Sequence, residues 1–237
     1  YHTSSLVNSA GDNSYRYAGA NPNNYVCFGS DASTCPSDNL YRIIGIFGDE
    51  VKLIKNTSYG NYAWDSSDNT WSSSDIKSTL NTTFLNTLSS TWQNKIASHV
   101  FKVGGGSDSY LQNEIPRTVY NYEVGSNSIN ITDSMKIGLM YVSDYGFAVS
   151  NNYWTINLIS YNSVTENNWM YLGSNEWTIS GDCDTSNGAF FVTSTGSVFN
   201  FSGVNFTYAV RPCFYLNSDV QYASGSGTQS DPIRLVV

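Results

Sequence analysis

A chain of 237 residues can bury a large core, and its 19 Asp and Glu against 11 Lys and Arg give a formal charge of −8. With no Lys/Arg run to release counterions, that balance argues against nucleic acid and anionic membrane surfaces as partners. No apolar stretch reaches the roughly 20 residues that a membrane-spanning helix needs. The polar positions are written instead in Asn, Ser, Thr and Tyr, with 18 Tyr and 6 Trp, a vocabulary shared by adaptable binding surfaces and by Asn/Ser/Thr-rich secreted β domains.

In chain order, residues 1–40 read as an irregular Gly/Asn/Ser/Pro-rich approach with exposed aromatics at Tyr15, Tyr17 and Tyr25. The start at Tyr1 is read as a processing or cloning boundary, with a segment expected upstream. Cys27 and Cys35 flank the short loop FGSDAST, which suits a local disulfide, and Cys183 and Cys213 then pair by elimination. Zinc would need close CxxC or CxxH spacing, and His2 and His99 are the sole histidines. Two disulfides imply an oxidising, extracellular location.

Residues 41–237 are expected to form one domain. Tyr41–Phe47 and Glu50–Lys55 read as strands joined through Gly48-Asp49 in a tight hairpin. From Ser72 the period lengthens: Ile76, Leu80, Phe84 and Leu88 follow i, i+4 steps behind the cap candidates Ser73 and Ser74, with Asp75 at the positive helix end. A second short helix is expected after Ser90, with Trp92, Ile96 and Val100 on its apolar side and His99 closing it. The run Gly104-Gly105-Gly106 then opens an irregular stretch to about Asp133. Strand-like segments return at Lys136–Val142, Asn168–Leu172, Glu176–Ile179, Ala189–Thr193, Ser197–Phe201 and Tyr208–Leu216. Thr195-Gly196 predicts another hairpin turn, and Pro212 an edge, bulge or strand start. The pattern is α+β, with short, mostly antiparallel strands bracketing two early helices.

Several phrases carry a resemblance: YRIIGIFGDEVKLIK, the helical block WSSSDIKSTLNTTFLNTLSSTWQNKIASHVFKVGG, KIGLMYVSDYGFA, NNWMYLGSNEWTI and AVRPCFYLNSDVQYASGSGTQSDP. From about residue 5 onward the chain resembles C-type lectin-like domains found on prepilin-like surface proteins of Gram-positive gut bacteria. That resemblance implies a C-type lectin-like fold with an N-terminal β-hairpin. Two relatives of the fold are better understood. In the variable proteins of diversity-generating retroelements, a stretch beside a GFRP-like segment is mutated at adenines to reshape a binding face. Ala209-Val210-Arg211-Pro212 is similar to that segment, which points to residues 175–210 as the diversified face. The formylglycine-generating enzyme works with a closely spaced cysteine pair, a pattern from which Cys183 and Cys213 depart.

Catalytic sets are hard to assemble. A serine hydrolase needs nucleophile, histidine and acid, but there is no GxSxG elbow and His2 sits at an end expected to fray. Glu114, Glu123, Glu166 and Glu176 are the candidate members of a glycosidase pair, each in a polar stretch where a solvated carboxylate is the default. Asp182-Cys-Asp-Thr-Ser-Asn-Gly188 alternates oxygen ligands as calcium loops do, yet its glycine falls one place late and no glutamate closes it. Asp144 is read as hydrogen-bonding its own turn. No catalytic residue, metal or cofactor is assigned.

What remains is an aromatic and polar set: Trp177, Asp184, Phe199, Asn200, Phe201, Asn205, Phe206 and Tyr208. These pack a hairpin or form an anchor-and-rim binding site. Alternation sends Phe199, Asn200 and Phe201 to opposite sides of a strand, and Asn200, Asn205, Phe206 and Tyr208 are the residues expected to face outward. The resulting expectation is a non-enzymatic, extracellular adhesin or sensor module whose partner is a host or microbial surface protein or glycan. A pilin or surface-layer subunit and a phage receptor-binding tip are the alternatives.

Overall fold

The computed structural model describes residues 1–106 and 110–236, with the backbone alone at positions 201 and 202, so the Phe201 side chain lies outside the described part. The elements run β1 (Tyr15–Arg16), β2 (Tyr25–Cys27), β3 (Leu40–Phe47), β4 (Glu50–Lys55), β5 (Gly60–Ala63), α1 (Asp75–Ser78), α2 (Ser90–Gln93), β6 (His99–Lys102), α3 (Pro116–Glu123), β7 (Thr132–Met135), β8 (Ile137–Gly138) and α4 (Val142–Phe147). They continue with β9 (Glu176–Gly181), β10 (Gly188–Val192), β11 (Val198–Gly203), β12 (Thr207–Val210), β13 (Cys213–Tyr215), β14 (Tyr222–Ser224) and β15 (Arg234–Leu235). The first sheet is ordered β1-β3-β4-β13-β8, with β2 also on β3; the second is β11-β10-β9-β12-β5. Within these sheets only β9 and β12 pair in parallel among the described residues. The chain is therefore α+β with mostly antiparallel sheets.

The β3–β4 hairpin forms where the spacing predicts it: Phe47 pairs with Glu50 across Gly48-Asp49, and Gly48 takes a φ of +63° that a side chain would resist. Residues 1–40 are less irregular than their composition implies. Both β1 and β2 hydrogen-bond to β3, and Phe28 is buried against Tyr41, Trp92 and Phe214.

Ile76, Leu80, Phe84 and Leu88 are all buried. A strict four-residue spacing drifts by about 40° per step around an ideal α-helix. The chain absorbs that drift by widening into a π turn over Thr79–Phe84 and tightening to a 3₁₀ turn at Leu85–Thr87, which keeps the apolar side chains in one core. Ser74, not Ser73, caps α1, its hydroxyl accepting from the Lys77 N–H at 3.2 Å. The second helix is shorter than its pattern implied. It ends at Gln93, and His99 and Val100 lie on β6, paired with Met135 and Ser134 of β7.

Further downstream, Pro116 opens α3 inside the stretch expected to be irregular, a position where its missing N–H costs nothing. The strand expected at Lys136–Val142 is confined to Ile137–Gly138, because Val142 starts α4. Asp144 does hydrogen-bond its turn, accepting from the Tyr141 N–H at 3.0 Å, and it also meets Lys52 Nζ at 2.6 Å and Arg16 Nη1 at 3.2 Å. Asn168–Leu172 forms no strand. Its backbone and amide are taken singly, Trp169 N–H by Gly19 O and Asn168 Nδ2 by Tyr145 O. The segment Tyr208–Leu216 is broken at Arg211-Pro212, with β12 in the second sheet and β13 in the first, as a residue without an N–H requires.

Two apolar cores result among the described residues. One lies between the helical block and the sheets, with Trp64, Trp71, Ile76, Phe84, Trp177 and Phe214; the other packs under α3 and α4 around Tyr145, Phe147, Trp154 and Phe190. Cys27 and Cys35 are joined, as expected. Cys183 and Cys213 are not: both are free thiols. Cys213 sits on β13 between β4 and β8 in the second core, whereas Cys183 is exposed on the β9–β10 connection. Pairing by elimination took no account of their opposite environments.

Candidate ligand-binding site

One face of the second sheet carries an aromatic ring on every strand. Phe199 on β11 pairs with Phe191 on β10, which pairs with Trp177 on β9. Tyr208 on β12 pairs with Tyr62 on β5. The Tyr208 ring lies 4.6 Å from Trp177 and 4.9 Å from Phe191, so it leans across β9. Trp177 is thereby roofed and 0% exposed, its Nε1 donating to Tyr62 O at 3.1 Å. It is core, which corrects its assignment as a contact residue. Phe206, 57% exposed, stacks on the outer side of Tyr208 at 6.3 Å and 16°. Tyr62 continues the track to Tyr59, stacked at 5.9 Å and 17°. Gly60 lies under the Tyr62 ring, where a Cβ would come within 2.8 Å of Cε2.

The other expected contact residues divide by the alternation of β11 and the turns beside it. Phe199 is half-buried against the first core. Asn205 is exposed on the β11–β12 turn and Asp184 on the β9–β10 connection. Asn200 faces inward, 6% exposed, a second correction: its Nδ2 donates to Asp182 Oδ2 at 3.1 Å and its Oδ1 accepts from Gln112 Nε2 at 3.3 Å. The partly open surface thus consists of Phe199, Phe206, Tyr208, Tyr62 and Tyr59, with Asn205 at its edge. Tyr59 and Tyr62 escaped the sequence reading because β5 is a short Gly-Asn-Tyr-Ala segment without an apolar run.

The candidate acids are placed otherwise. Glu123 is buried, not solvated. Its carboxylate accepts from the N–H groups of Val142 (2.9 Å) and Ser143 (2.8 Å) at the start of α4, and from the Ser180 hydroxyl. Burial still dominates and pushes its carboxyl above the usual range. Glu176 is also buried, held by Arg211 Nε at 2.6 Å and Nη2 at 2.9 Å. Glu114 is half-buried and Glu166 exposed. Asp182 is consumed by its own loop, accepting from the Asp184 N–H at 3.0 Å and the Thr185 hydroxyl at 3.3 Å. Among the described residues no three His, Cys, Asp or Glu side chains gather as a metal-ligating group. His2 stacks on Tyr15 at 4.4 Å; His99 stacks on Tyr215 at 3.7 Å, with Nδ1 2.7 Å from Glu50 Oε2.

Several recesses open on the surface. One, about 560 Å³, lies between the Cys27–Cys35 loop and the β14–β15 hairpin, away from the rings. A second, about 430 Å³, is bordered by Cys183, Asp184, Ile129 and Ile131. A third, about 340 Å³, sits at the Tyr59 end of the aromatic track and includes Asp38, Lys55 and Phe84.

A family model described as a domain of unknown function, DUF6273, matches residues 48–218. The chain belongs to the DUF6273 family. No curated protein and no solved structure matches it. The DUF6273 segment runs from the turn before β4 to just beyond β13, and so contains every ring of the track. It does not contain Gly29, Asp38, Asn39 and Tyr41, which complete the recess at the Tyr59 end.

Proposed function

We propose that the chain is an extracellular ligand-binding module, an adhesin or sensor of C-type lectin-like fold displayed by a bacterial surface or pilus protein. The observation that carries this reading is the aromatic track, in which a buried Trp177 supports partly open rings of Phe199, Tyr208, Tyr62 and Tyr59, with Phe206 standing out to solvent. Rings locked by cross-strand neighbours offer large amphipathic area with little rotamer entropy left to lose on contact. The Cys27–Cys35 disulfide fits an oxidising, extracellular setting, and no described helix is long and apolar enough to cross a membrane.

The return of β13 to pair with the early β3–β4 hairpin, with the helical block between them in sequence, is in keeping with the C-type lectin-like resemblance. Phe199, Phe206 and Tyr208 fall within the 175–210 segment proposed as a diversified face. The role is one of binding, not catalysis, and the partner is a surface protein or glycan.

Glycan and protein arrays probed with the tetramerised domain test this reading. Capture by either array that Tyr208→Ala weakens supports it. Silence on both arrays, together with concentration-dependent self-assembly that Tyr208→Ala abolishes, replaces it with a structural subunit.

A further inference from the structure

The third recess has a chemistry that the rest of the track lacks. Its volume, about 340 Å³, falls at the small end of ligand sites. One wall is the half-exposed Tyr59 ring, fixed edge-on to Phe84 at 5.1 Å and stacked on Tyr62. Facing it are polar groups with bonding capacity to spare. Lys55 is 5% exposed, and its Nζ donates to Asp38 O at 2.9 Å and to Thr57 Oγ1 at a long 3.4 Å, leaving its third N–H for another acceptor. Asn39 spends its Nδ2 on Phe28 O, which leaves its carbonyl to accept. Thr87 donates to Phe84 O and keeps its lone pairs. The Asp38 side chain is exposed. Gly29, at φ +88°, keeps the space clear: a Cβ there would lie 2.8 Å from Asn39 Nδ2 and 2.9 Å from a Leu88 methyl.

These groups select a ligand by its chemistry. An ammonium and a carboxylate together carry no net charge, so neither an anion nor a cation gains from the recess as a whole. The ammonium donates and the carboxylate accepts, so together they reward a neutral group that both accepts and donates, which a hydroxyl does and an alkyl chain does not. The ring wall asks in addition for a flat face of C–H groups. A pyranose carries both, with hydroxyls around its rim and axial C–H bonds on its face, whereas a peptide lacks the adjacent hydroxyls.

We propose that this recess binds one neutral pyranose, the end unit of a glycan whose following units lie along Tyr62, Tyr208 and Phe206. The inference rests on the reading of the track as a binding surface and narrows its partner from protein or glycan to glycan.

An array of neutral and acidic oligosaccharides, with the tetramerised domain as probe, provides the first test. The strongest neutral oligosaccharide is then titrated calorimetrically against Asp38→Asn, Lys55→Met, Tyr59→Ala and Tyr208→Ala, each checked for folding by circular dichroism. The expected result is capture of neutral glycans, with Asp38→Asn and Lys55→Met each losing about tenfold or more in affinity, the size of a hydrogen bond to a charged group. Asp38 is exposed, so its variant keeps the test alive should Lys55→Met unfold. Capture of acidic glycans or proteins alone overturns the proposal. So does unchanged affinity in Asp38→Asn and Tyr59→Ala, and if Tyr208→Ala still weakens binding in that case, the track reading stands without the recess. If Tyr208→Ala is also without effect, the track reading itself falls.

Discussion

Phe206→Ala separates a binding ring from a structural one. With 57% of the residue exposed, and a phenyl side chain worth up to about 200 Å² when fully buried, roughly 110 Å² of apolar surface is open to a ligand. At about 25 cal/mol per Å² this amounts to somewhat under 3 kcal/mol. Freezing the ring's remaining rotamers takes back about 0.5–1 kcal/mol, so truncation should weaken ligand capture by about 2 kcal/mol, or about thirtyfold. The same substitution should hardly alter folding, since surface changes away from buried networks usually stay within about 0.5 kcal/mol. Trp177→Ala is the counterpart: it removes a fully buried indole from the first core and should cost about 3–5 kcal/mol of stability. The assays are biolayer interferometry against the best array ligand and urea unfolding of each variant. Full-affinity binding by a normally folded Phe206→Ala protein would refute the assignment of this ring to the contact surface.

Other expectations concern the scaffold. Thiol titration should find one reactive cysteine in the native protein and two in denaturant under non-reducing conditions, because Cys213 is buried and only Cys183 is open; the native reaction should be slow, since partial burial and the neighbouring Asp184 and Asp182 push the Cys183 thiol up to about 11. Finding none in denaturant would restore the Cys183–Cys213 disulfide. Lys52→Met should destabilise by about 3 kcal/mol in urea, the low end for stripping a buried ion pair of one partner, since Arg16 and the Tyr141 N–H still serve Asp144; a change below 1 kcal/mol would show that the pair contributes little. Burial alone would raise the Asp12 carboxyl, but Arg16 and the hydroxyls of Ser14 and Thr3 outweigh it and hold it at about 2. Its stabilisation is therefore complete above the ordinary value of 3.8 and lost as pH falls toward 2, a contribution of about 1 kcal/mol after solvent screening. The urea-midpoint gap between the parent and Asp12→Asn should narrow from pH 5 to pH 2, and a constant gap would contradict it.

Much of the framework was legible because it is local. Gly48-Asp49 announces the first hairpin through backbone freedom alone, and Ile76, Leu80, Phe84 and Leu88 announce a buried helical face whatever turn type carries them. Legibility fails where tertiary contacts override a pattern. His99-Val100 continues an i, i+4 series from Trp92, yet pairing with β7 gives this segment more hydrogen bonds than a frayed third helical turn would. Asn168-Trp-Met-Tyr-Leu has strand composition, but its pairing stops at an isolated bridge between Asn168 and Val149, and the Trp169 N–H goes to Gly19 O. Of the candidate site, Phe206 and Tyr208 stood out as aromatic turn-and-strand residues, whereas the inward Asn200 was one position out of phase with the open face. Tyr59 and Tyr62 gave no signal, since only the β5–β12 pairing brings them beside Tyr208. The buried Glu123 and Glu176 looked solvated because their partners lie far away in sequence, Glu176 with Arg211 and Glu123 with Ser143 and Ser180.

The break at Arg211-Pro212 joins these two scales. β12 carries Tyr208 on the open sheet, and three residues after Val210 the chain is already inside the first sheet as β13. A swivel at that joint would move the ring relative to everything it must meet. Arg211 prevents it with two donors on Glu176 of the adjacent β9 and a third contact, Nη2 to Met170 O at 2.6 Å. A planar five-donor fork suits this task where a lysine would not. The pair adds little net stability, because desolvating both charges offsets most of their attraction; its value lies in fixing orientation. The rings can thus be exposed yet rigid, the condition under which aromatic area converts to affinity and not to lost conformational freedom.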